Sequence, residues 1–278
     1  MGSEETDDVG ELGFGVVIPV HNEAETLIYT LPSISNLRIK EVIFVLDRCT
    51  DSTDKILERF WKKNKLRDAE FVLLRIQKKS NWKIHLNFLY DLGIKKAESR
   101  IILLSQADIL HDYMTINKNI KNALHGTMSF AVLEHPHIAP WNHFVTKMLQ
   151  TFGASFGVQR FSGVIAFRKE HYETCSLTPE DLLNFDTQMQ VNFKKKGYPY
   201  TYVTSRNLNM RPTLVSMAGR DKLWKVGVDR YKLKKSLWKV LLFSFLRLTP
   251  EVVAGYFYAK LKSYELNSRA SKIRSGED

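Results

Sequence analysis

Cysteine is scarce in this chain, because Cys49 and Cys175 are the only two among 278 residues. Two cysteines argue against a disulfide framework, and no signal peptide precedes the first apolar run. Both absences lead us to expect a reduced, cytoplasmic protein.

Long apolar runs and glycine-rich loops are scarce as well. The most apolar turn of the C-terminal region, Val240–Leu246, is much shorter than the ~20 apolar residues that cross a bilayer. The first apolar run leads into Val20-His-Asn-Glu23, which lacks the glycines and lysine of a triphosphate-binding loop. The absence of such a loop argues against a nucleotidyltransferase. The sequence contains neither an internal repeat nor a low-complexity segment.

Acidic residues are few toward the C-terminus. The chain carries a net charge of +11, and residues 206–274 contain sixteen Lys or Arg against four Asp or Glu. Such a segment suits nucleic acid, anionic lipid or a phosphorylated substrate, or it forms a solvated basic face. Because no nucleic-acid-binding motif accompanies the charge, we expect no nucleic-acid partner.

Two stretches carry the strongest pattern in the sequence. Val16–Thr30 is an apolar run followed by a turn with Asn22 and Glu23 and by a helical repeat of apolar residues. Val42–Asp54 is a second apolar run that ends on Asp47. The two runs predict parallel strands joined by a helix. The ligand crevice of such a sheet lies at the carboxyl ends of its strands.

Strands and helices alternate over the rest of the first 200 residues or so. The pattern predicts strands at 70–75, 100–104, 128–133 and 163–167, and helices at 53–63, 82–97, 113–124 and 186–196. This alternation is typical of a parallel or mixed sheet with helices on both faces. The composition, with 44% hydrophobic and 26% charged residues, is that of an ordinary globular protein.

These motifs together resemble the start of an inverting glycosyltransferase of family 2, the group that includes polyprenyl-phosphate sugar transferases. The resemblance covers about residues 14–205. It implies an α/β protein of the GT-A fold, a Rossmann-like mixed sheet with helices on both faces. It also implies a UDP- or GDP-linked sugar donor, inversion at the anomeric carbon, and a Mg²⁺ or Mn²⁺ cofactor.

The resemblance places the nucleotide pocket on the two motifs. Pro19, Asn22, Glu23 and Asp47 are expected to line it, and Asp47 matches the first acid of the second motif. Arg48 follows it where the family often has a second acid.

A lysine-containing run adds a further nucleotide contact. Residues 82–93 resemble a helix of the family through Lys83, Leu86 and Asn87. Lys83 is therefore expected to approach the diphosphate as a point charge. Without the surrounding match, it would be a plain surface lysine.

The metal position departs from the family pattern. The family usually has Asp-x-Asp after the fourth strand, where this chain has Gln106-Ala107-Asp108. Asp108 is expected to hold the metal, and Gln106 and Ala107 to contact the sugar nucleotide. One carboxylate with phosphate oxygens and waters is a normal Mg²⁺ environment. The missing acid leaves open the alternative of a protein that binds a nucleotide sugar without turnover.

Several histidines near these motifs are not expected to bind a metal. His111, just after the metal position, is expected to be an exposed loop histidine. The run Glu134-His135-Pro136-His137, with His143, lacks the second ligand group of a zinc site.

An inverting mechanism needs a carboxylate within hydrogen-bond reach of the attacking hydroxyl. The acid of the family corresponds to Asp186, at the start of a predicted helix that ends before Gly197. Glu180 and Asp181 compete for the role, and an Asp at a helix start is also an ordinary N-cap. Gly163 resembles the acceptor-side turn. Arg211, with Arg206 and Arg220 as alternatives, is expected to add positive charge on the diphosphate side.

We divide the chain into a flexible tail (1–12), a GT-A catalytic domain (13–219) and a basic amphipathic helical segment (220–278). The last segment has aromatic residues and lysines beside short apolar helices, which is typical of a membrane interface. It predicts peripheral contact with the inner face of the cell membrane and a lipid or polyprenyl-phosphate acceptor. The alternative is a helical pair packed on the main domain or on a second subunit.

Overall fold

The computed structural model describes residues 13–64, 69–134, 162–181, 183–210, 223–224, 227–228, 230–231, 236–247 and 249–275. The chain divides into two compact units, residues 1–136 with 159–210 and residues 137–158 with 211–278. The predicted tail, 1–12, lies outside the described residues. The predicted boundary between residues 219 and 220 stays a prediction.

The first unit alternates strands and helices. Its strands are β1 (Phe14–Val20), β2 (Ile39–Asp47), β3 (Glu70–Ile76), β4 (Ile101–Leu104), β5 (Ile109–Leu110), β6 (Met128–Glu134), β7 (Ser162–Arg168) and β8 (Tyr200–Asn209). Its helices are α1 (Ala24–Ser35), α2 (Thr53–Asn64), α3 (His85–Lys96), α4 (Tyr113–Leu124), α5 (Lys169–Thr174) and α6 (Phe185–Lys195).

These eight strands form one mixed sheet in the order β3-β2-β1-β4-β7-β6-β8-β5. The first four strands in that order are parallel to one another. β7 runs antiparallel to β4 and β6, and β8 runs parallel to β6. Parallel strands that are buried on both faces are apolar along their whole length, which explains the unbroken apolar runs of β1 and β2.

Helices cover both faces of the sheet. On one face, α1, α2 and α4 pack on the sheet through residues such as Leu27, Leu57 and Ile116. On the other face, α3, α5 and α6 pack through residues such as Leu89, Tyr172 and Met189. This arrangement confirms the predicted fold class.

The carboxyl ends of β1, β2, β4, β6 and β8 share one edge of the sheet. β7 begins at the same edge because it is antiparallel to β4, with Leu104 opposite Ile165. The turns at this edge carry most of the predicted site residues, as the topology of an open α/β sheet requires.

Some element ends differ from the prediction. β1 continues through Pro19 to Val20. α3 begins at His85 rather than at residue 82, because Ile84 is still extended (φ −121°, ψ 106°). β5 and β8 are absent from the prediction. β8 carries Arg206 and several polar residues, and its pairing with β6 and β5 rather than its own pattern makes it a strand.

The second unit contains α7 (Leu237–Arg247) and α8 (Pro250–Ser275), with short helical turns before them. Val240, Val252 and Tyr256 form its buried apolar cluster. α8, a single helix of 26 residues, lies within the predicted amphipathic segment at 220–278. Among the residues that the structure describes, no helix is long and apolar enough to cross a membrane.

Two glycines bring backbones of the second unit into close contact. A Cβ on Gly227 would lie 2.0 Å from the carbonyl oxygen of Val252, and a Cβ on Gly255 would lie 2.1 Å from that of Trp224. A side chain at either position would displace the facing backbone, so only glycine permits the approach of Trp224 and Gly227 to α8.

Candidate active site

The turns after β1 and β2 are joined by side-chain hydrogen bonds. The Asn22 side-chain oxygen accepts from the backbone N–H of Thr50 at 2.8 Å. Asp51 accepts from the N–H of Ala24 at 3.1 Å, and Thr53 Oγ1 accepts from the N–H of Glu23 at 2.8 Å. Asn22 itself has a positive φ of 53°, which asparagine adopts more readily than most residues. The predicted pocket residues therefore form a preorganised double turn.

Asp47, at the end of β2, is a buried carboxylate held by two side chains. Both its oxygens accept from the Arg48 guanidinium at 2.7 Å, and Oδ1 also contacts His85 Nε2 at 2.9 Å. The bidentate bond from Arg48 and the contact with His85 outweigh the cost of burial and lower the pKa of Asp47 to about 2. His21 Nδ1 donates to the Asp47 carbonyl oxygen.

His85 is a site residue that the sequence analysis missed. Its Nδ1 accepts from the backbone N–H of Ser80 at 3.0 Å, with Ser80 Oγ at 2.8 Å. Because Nδ1 is an acceptor, the proton lies on Nε2, which donates to Asp47. His85 thus links the loop before α3 to the end of β2. Its position inside the run at 82–93 was the only sequence signal for it.

Lys83 lies in the same loop and pairs with an acid in the structure. Its Nζ is 3.6 Å from Glu180 Oε2, and both side chains are exposed. Its backbone N–H donates to the carbonyl oxygen of Pro179 at 2.9 Å. An exposed ion pair contributes about 0–1 kcal/mol, so the ammonium can exchange Glu180 for a stronger anion.

The turn Gln106–Asp108 follows β4 and is fixed from α1. Thr30 Oγ1 donates to the Ala107 carbonyl oxygen at 2.7 Å. Asp108 is buried, and its own carbonyl oxygen accepts from the N–H of Met210 at the end of β8. The expected metal carboxylate therefore projects from a turn that two neighbouring elements hold.

His111 is enclosed rather than an exposed loop histidine, so that prediction was wrong. Ser33 Oγ donates to the Thr30 carbonyl oxygen, so it accepts from His111 Nδ1 at 3.2 Å. Ser105 Oγ in turn donates to His111 Nε2 at 2.7 Å. Burial lowers the pKa of His111 to about 4, so the ring is neutral and ties α1 to the end of β4. The sequence pattern missed this because neither partner serine is within its own loop.

Tyr90 on α3 contacts the residues that precede Asp108 and Asp186. Its hydroxyl donates to the Ser105 carbonyl oxygen at 3.2 Å, and its ring packs on Phe185 with centroids 4.3 Å apart. Burial, and then the charges of Asp108 and Asp186, raise its pKa. Tyr90 carries no motif signal of its own in the sequence.

Asp186 lies in the first turn of α6, and α3 holds that turn in place. The Tyr90 and Phe185 rings pack with centroids 4.3 Å apart, and Asn87 Nδ2 donates to the Leu183 carbonyl oxygen at 2.9 Å. Asp186 Oδ1 accepts from the Thr187 N–H at 2.8 Å, and burial raises the pKa of the carboxyl.

Asp186 is not the cap of this helix. The N-cap residue is Asn184, so helix capping does not explain the presence of Asp186 at this position. A helix start still attracts negative charge.

The competing acids have local partners. Asp181 Oδ2 accepts from the N–H of Thr178 in a tight turn at 2.7 Å, and Glu180 pairs with Lys83.

Gly163 lies on β7, where the register with β6 shifts by one residue, and a glycine often marks such a bulge. Arg211 and Arg220 lie outside the described residues. So do His135, His137 and His143.

The donor set fits a hard divalent ion only in part. Asp108 offers carboxylate oxygens and Gln106 an amide oxygen, the ligand types that Mg²⁺ and Mn²⁺ prefer. Within the described ranges, no group of three His, Cys, Asp or Glu could hold an ion without help. The residues therefore suit a metal whose remaining ligands come from a diphosphate and water.

Solved structures share this architecture. A mycobacterial protein matches with a TM-score of 0.53 at 14% identity over 81% of this chain and 76% of its own. Glucosyl-3-phosphoglycerate synthase from Mycobacterium tuberculosis, solved with Mn²⁺, UDP and phosphoglyceric acid, gives a TM-score of 0.51 at 14% identity over 78% and 77%. Residues 1–349 of S. aureus TarS give 0.50 at 13% identity.

The match to TarS covers 78% of this chain and 65% of the TarS fragment, so the chain spans just under two thirds of that relative. Identities this low support the fold alone. None of the curated proteins matches the sequence significantly. Residues 15–178, more than half of the chain, match the family described as Glycosyl transferase family 2. On this match, together with the GT-A architecture of the first unit, the chain belongs to glycosyl transferase family 2.

Proposed function

We propose that this protein transfers a sugar, with inversion, from a UDP- or GDP-linked donor to an acceptor hydroxyl or a lipid phosphate. The observation that carries the proposal is the contact of Tyr90 with both turns: its hydroxyl donates to the carbonyl oxygen of Ser105, before Asp108, and its ring packs on Phe185, next to Asp186. One carboxylate follows β4 and faces the expected diphosphate side, and the other begins α6. This is the pair that a direct displacement needs.

On this proposal, Asp186 is the base that takes the proton of the attacking hydroxyl. A raised pKa suits that role, because a stronger base removes the proton more readily. Tyr90 and Asn87 position it by holding the start of α6 on α3. Inversion follows from a single displacement, in which the acceptor attacks the face opposite to the departing diphosphate.

The nucleotide would lie along the double turn. Pro19, Asn22, Glu23 and Asp47 would line the base and ribose, and Gln106 and Ala107 the sugar nucleotide. Asp47 already accepts two bonds from Arg48, so a base that binds to it must displace at least one of them. UDP is the first donor to test, because the mycobacterial synthase was solved with UDP.

The diphosphate side combines one acid with nearby cations. Asp108 would hold Mg²⁺ or Mn²⁺ jointly with the diphosphate, and the ion would offset the charge of the leaving group. Lys83 would leave Glu180 for the diphosphate. Arg211 follows Met210, whose N–H is bonded to Asp108, and we propose it as a further cation there. Gly163 would leave room for the acceptor at the start of β7.

We also propose that the protein is cytoplasmic and contacts the inner face of the cell membrane, where a lipid or polyprenyl-phosphate acceptor is available. The net charge of residues 206–274 suits anionic headgroups. The alternatives are a nucleotide-sugar-binding protein without turnover and a basic membrane- or nucleic-acid-binding protein.

One experiment separates these possibilities. Donor binding and transfer to a hydroxyl acceptor, such as a sugar or a polyprenol, are measured for wild type, Asp186→Asn and the matched control Asp181→Asn, because an ionised phosphate acceptor has no proton for a base to remove. We expect Asp186→Asn to keep donor affinity within about threefold and to lose about 10²–10⁴-fold in kcat, whereas Asp181→Asn keeps both. Donor binding with no transfer by wild type would support the non-catalytic alternative. Equal activity in the two variants would exclude Asp186 as the base.

A further inference from the structure

Exposed large apolar side chains are concentrated in the second unit. Thirteen such residues are exposed in the described part of the chain, and seven of them lie between positions 224 and 261. They are Trp224, Trp238, Leu242, Phe245, Phe257, Tyr258 and Leu261. The first unit, which has about twice as many residues, holds the other six.

α7 exposes three large apolar side chains. Trp238 is 71% exposed and Phe245 77%, and Leu242 lies on the same side at i+4 from Trp238. Among the side chains of this helix that the structure describes, Val240 and the polar Ser244 are buried, and Leu237 packs partly buried against the same cluster. A helix that packs on a core in water buries its largest apolar groups, so another medium or molecule must cover this side.

α8 also exposes large apolar side chains, although its Val252 and Tyr256 are buried. Phe257, Tyr258 and Leu261 are exposed at helical spacing. The Tyr258 ring packs on Trp224 with centroids 5.3 Å apart, and Lys262 Nζ lies 6.0 Å from the Tyr258 centroid. Aromatic rings beside lysines that keep their ammonium groups in water are typical of the membrane–water interface.

The positive charge of this region indicates which kind of molecule covers these exposed apolar side chains. Lys239 is exposed on α7 and Lys262 on α8. Residues 206–274, from which these helices come, carry sixteen basic against four acidic residues. A second copy of the same surface would bring like charges together, which disfavours the contact. An anionic lipid surface is attracted by the charges and takes up the apolar side chains.

The length of α7 limits the mode of contact. Its 11 residues span about 16 Å, against the ~30 Å of a bilayer core. The helix therefore suits a position in the plane of the headgroups and not one across the membrane.

We propose that α7 and the first half of α8 dock on an anionic bilayer, with Trp238, Leu242 and Phe245 inserted at the headgroup–acyl boundary. The inference deepens the proposed function, because it names the surface by which the protein would reach a lipid-linked acceptor. Only the role of the docking in catalysis rests on the proposed function, because lipid binding can be measured without a sugar donor.

The test is flotation of the full chain with vesicles of phosphatidylglycerol and phosphatidylcholine, against vesicles of phosphatidylcholine alone. The variant is Trp238→Ser with Phe245→Ser. Its matched control is Tyr29→Ser with Met114→Ser, which removes two similarly exposed apolar side chains from the first unit. We expect wild type and control to float with the anionic vesicles. The α7 variant should lose at least about tenfold in partition coefficient.

Equal flotation of the two double variants would overturn the proposal, because charge alone would then account for binding. So would a wild type that forms a dimer which the α7 variant lacks. Thermal shift with UDP and Mn²⁺ is measured on the same samples. Flotation of wild type without any thermal shift by UDP and Mn²⁺ would contradict the proposed transferase function but support the docking surface. A thermal shift without flotation would support the transferase function and contradict the docking surface.

Discussion

Asp47 is the carboxylate whose surroundings the structure defines most fully. Arg48 and His85 hold its pKa at about 2, below the ordinary 3.8. The folded state therefore binds this proton less tightly than the unfolded state does. The resulting stabilisation is present above pH 4 and is lost as the pH falls toward 2.

We expect Asp47→Asn to lower the free energy of unfolding by about 1–2 kcal/mol at pH 7, with the difference closing near pH 2. The figure stays below the full value of the pKa shift because the Arg48 side chain is 39% exposed. Urea denaturation across that pH range measures the effect.

Glu58→Gln is the matched control for this prediction. Glu58 pairs with Arg75 at 2.6 Å on an exposed surface, so its loss should cost less than about 1 kcal/mol. A pH dependence that is the same in both variants would contradict the assignment of the acid-sensitive stability to Asp47.

Asp186 should control the pH dependence of transfer. Burial raises the pKa of its carboxyl, and the base must be deprotonated to act. We therefore expect the rate to rise with pH through a value above the ordinary ~3.9 of an aspartate. A pH–rate profile of kcat/KM measures it. The limb should persist in Asp181→Asn, and a limb that remains in the residual activity of Asp186→Asn would exclude this origin.

Sequence motifs were enough to nominate Asp108 and Asp186, because the family match fixes their places relative to predicted strands and helices. They did not identify His85 or Tyr90. These residues act through contacts with Asp47, 38 positions away, and with Ser105, 15 positions away. Such pairings depend on which elements lie side by side in the sheet, which the pattern of one chain does not contain.

At the scale of elements, the close contact at Gly255 yields the sharpest prediction. Replacing this glycine in α8 with alanine would improve helix propensity by about 1 kcal/mol if nothing opposed it. The new Cβ would instead lie 2.1 Å from the Trp224 carbonyl oxygen. We expect a net loss of about 1–3 kcal/mol in the second unit, visible as earlier amide exchange in α7 and α8.

Ala254→Gly is the companion variant. Ala254 is exposed on the same helix, so its replacement should cost only the propensity difference of about 1 kcal/mol. A stabilised Gly255→Ala protein would show that the two backbones do not approach each other as described.

Strands that are buried and apolar are the ones that the sequence predicts best. β1, β2 and β4 are buried apolar runs and were placed from the sequence. β8 alternates exposed and buried residues from Val203 onward, but its buried Ser205, Asn207 and Asn209 are polar, so its sequence has no apolar pattern that predicts a strand. Its strand conformation comes from pairing with β6 and β5, so it is a consequence of the sheet.

At the scale of the whole molecule, the basic residues and most of the exposed apolar side chains lie in a different part of the chain from the proposed catalytic carboxylates. The carboxylates of the site lie in the first unit, and the segment with sixteen basic residues begins on β8 and continues through the second unit. The fold class follows from the alternation of strands and helices. Acceptor identity does not, because it depends on loops whose shape no periodic pattern records.

The central claim is that the sheet edge binds a nucleotide diphosphate with a divalent ion at Asp108. The direct measurement is thermal unfolding with UDP, GDP, UDP-glucose or GDP-mannose, each with and without Mn²⁺. It is run on wild type, Asp108→Ala and Asp181→Ala as the control. The account predicts that one nucleotide stabilises wild type and the control in a metal-dependent way, and that Asp108→Ala loses the metal-dependent part. No stabilisation of wild type by any of them, or an unchanged response in Asp108→Ala, would contradict it.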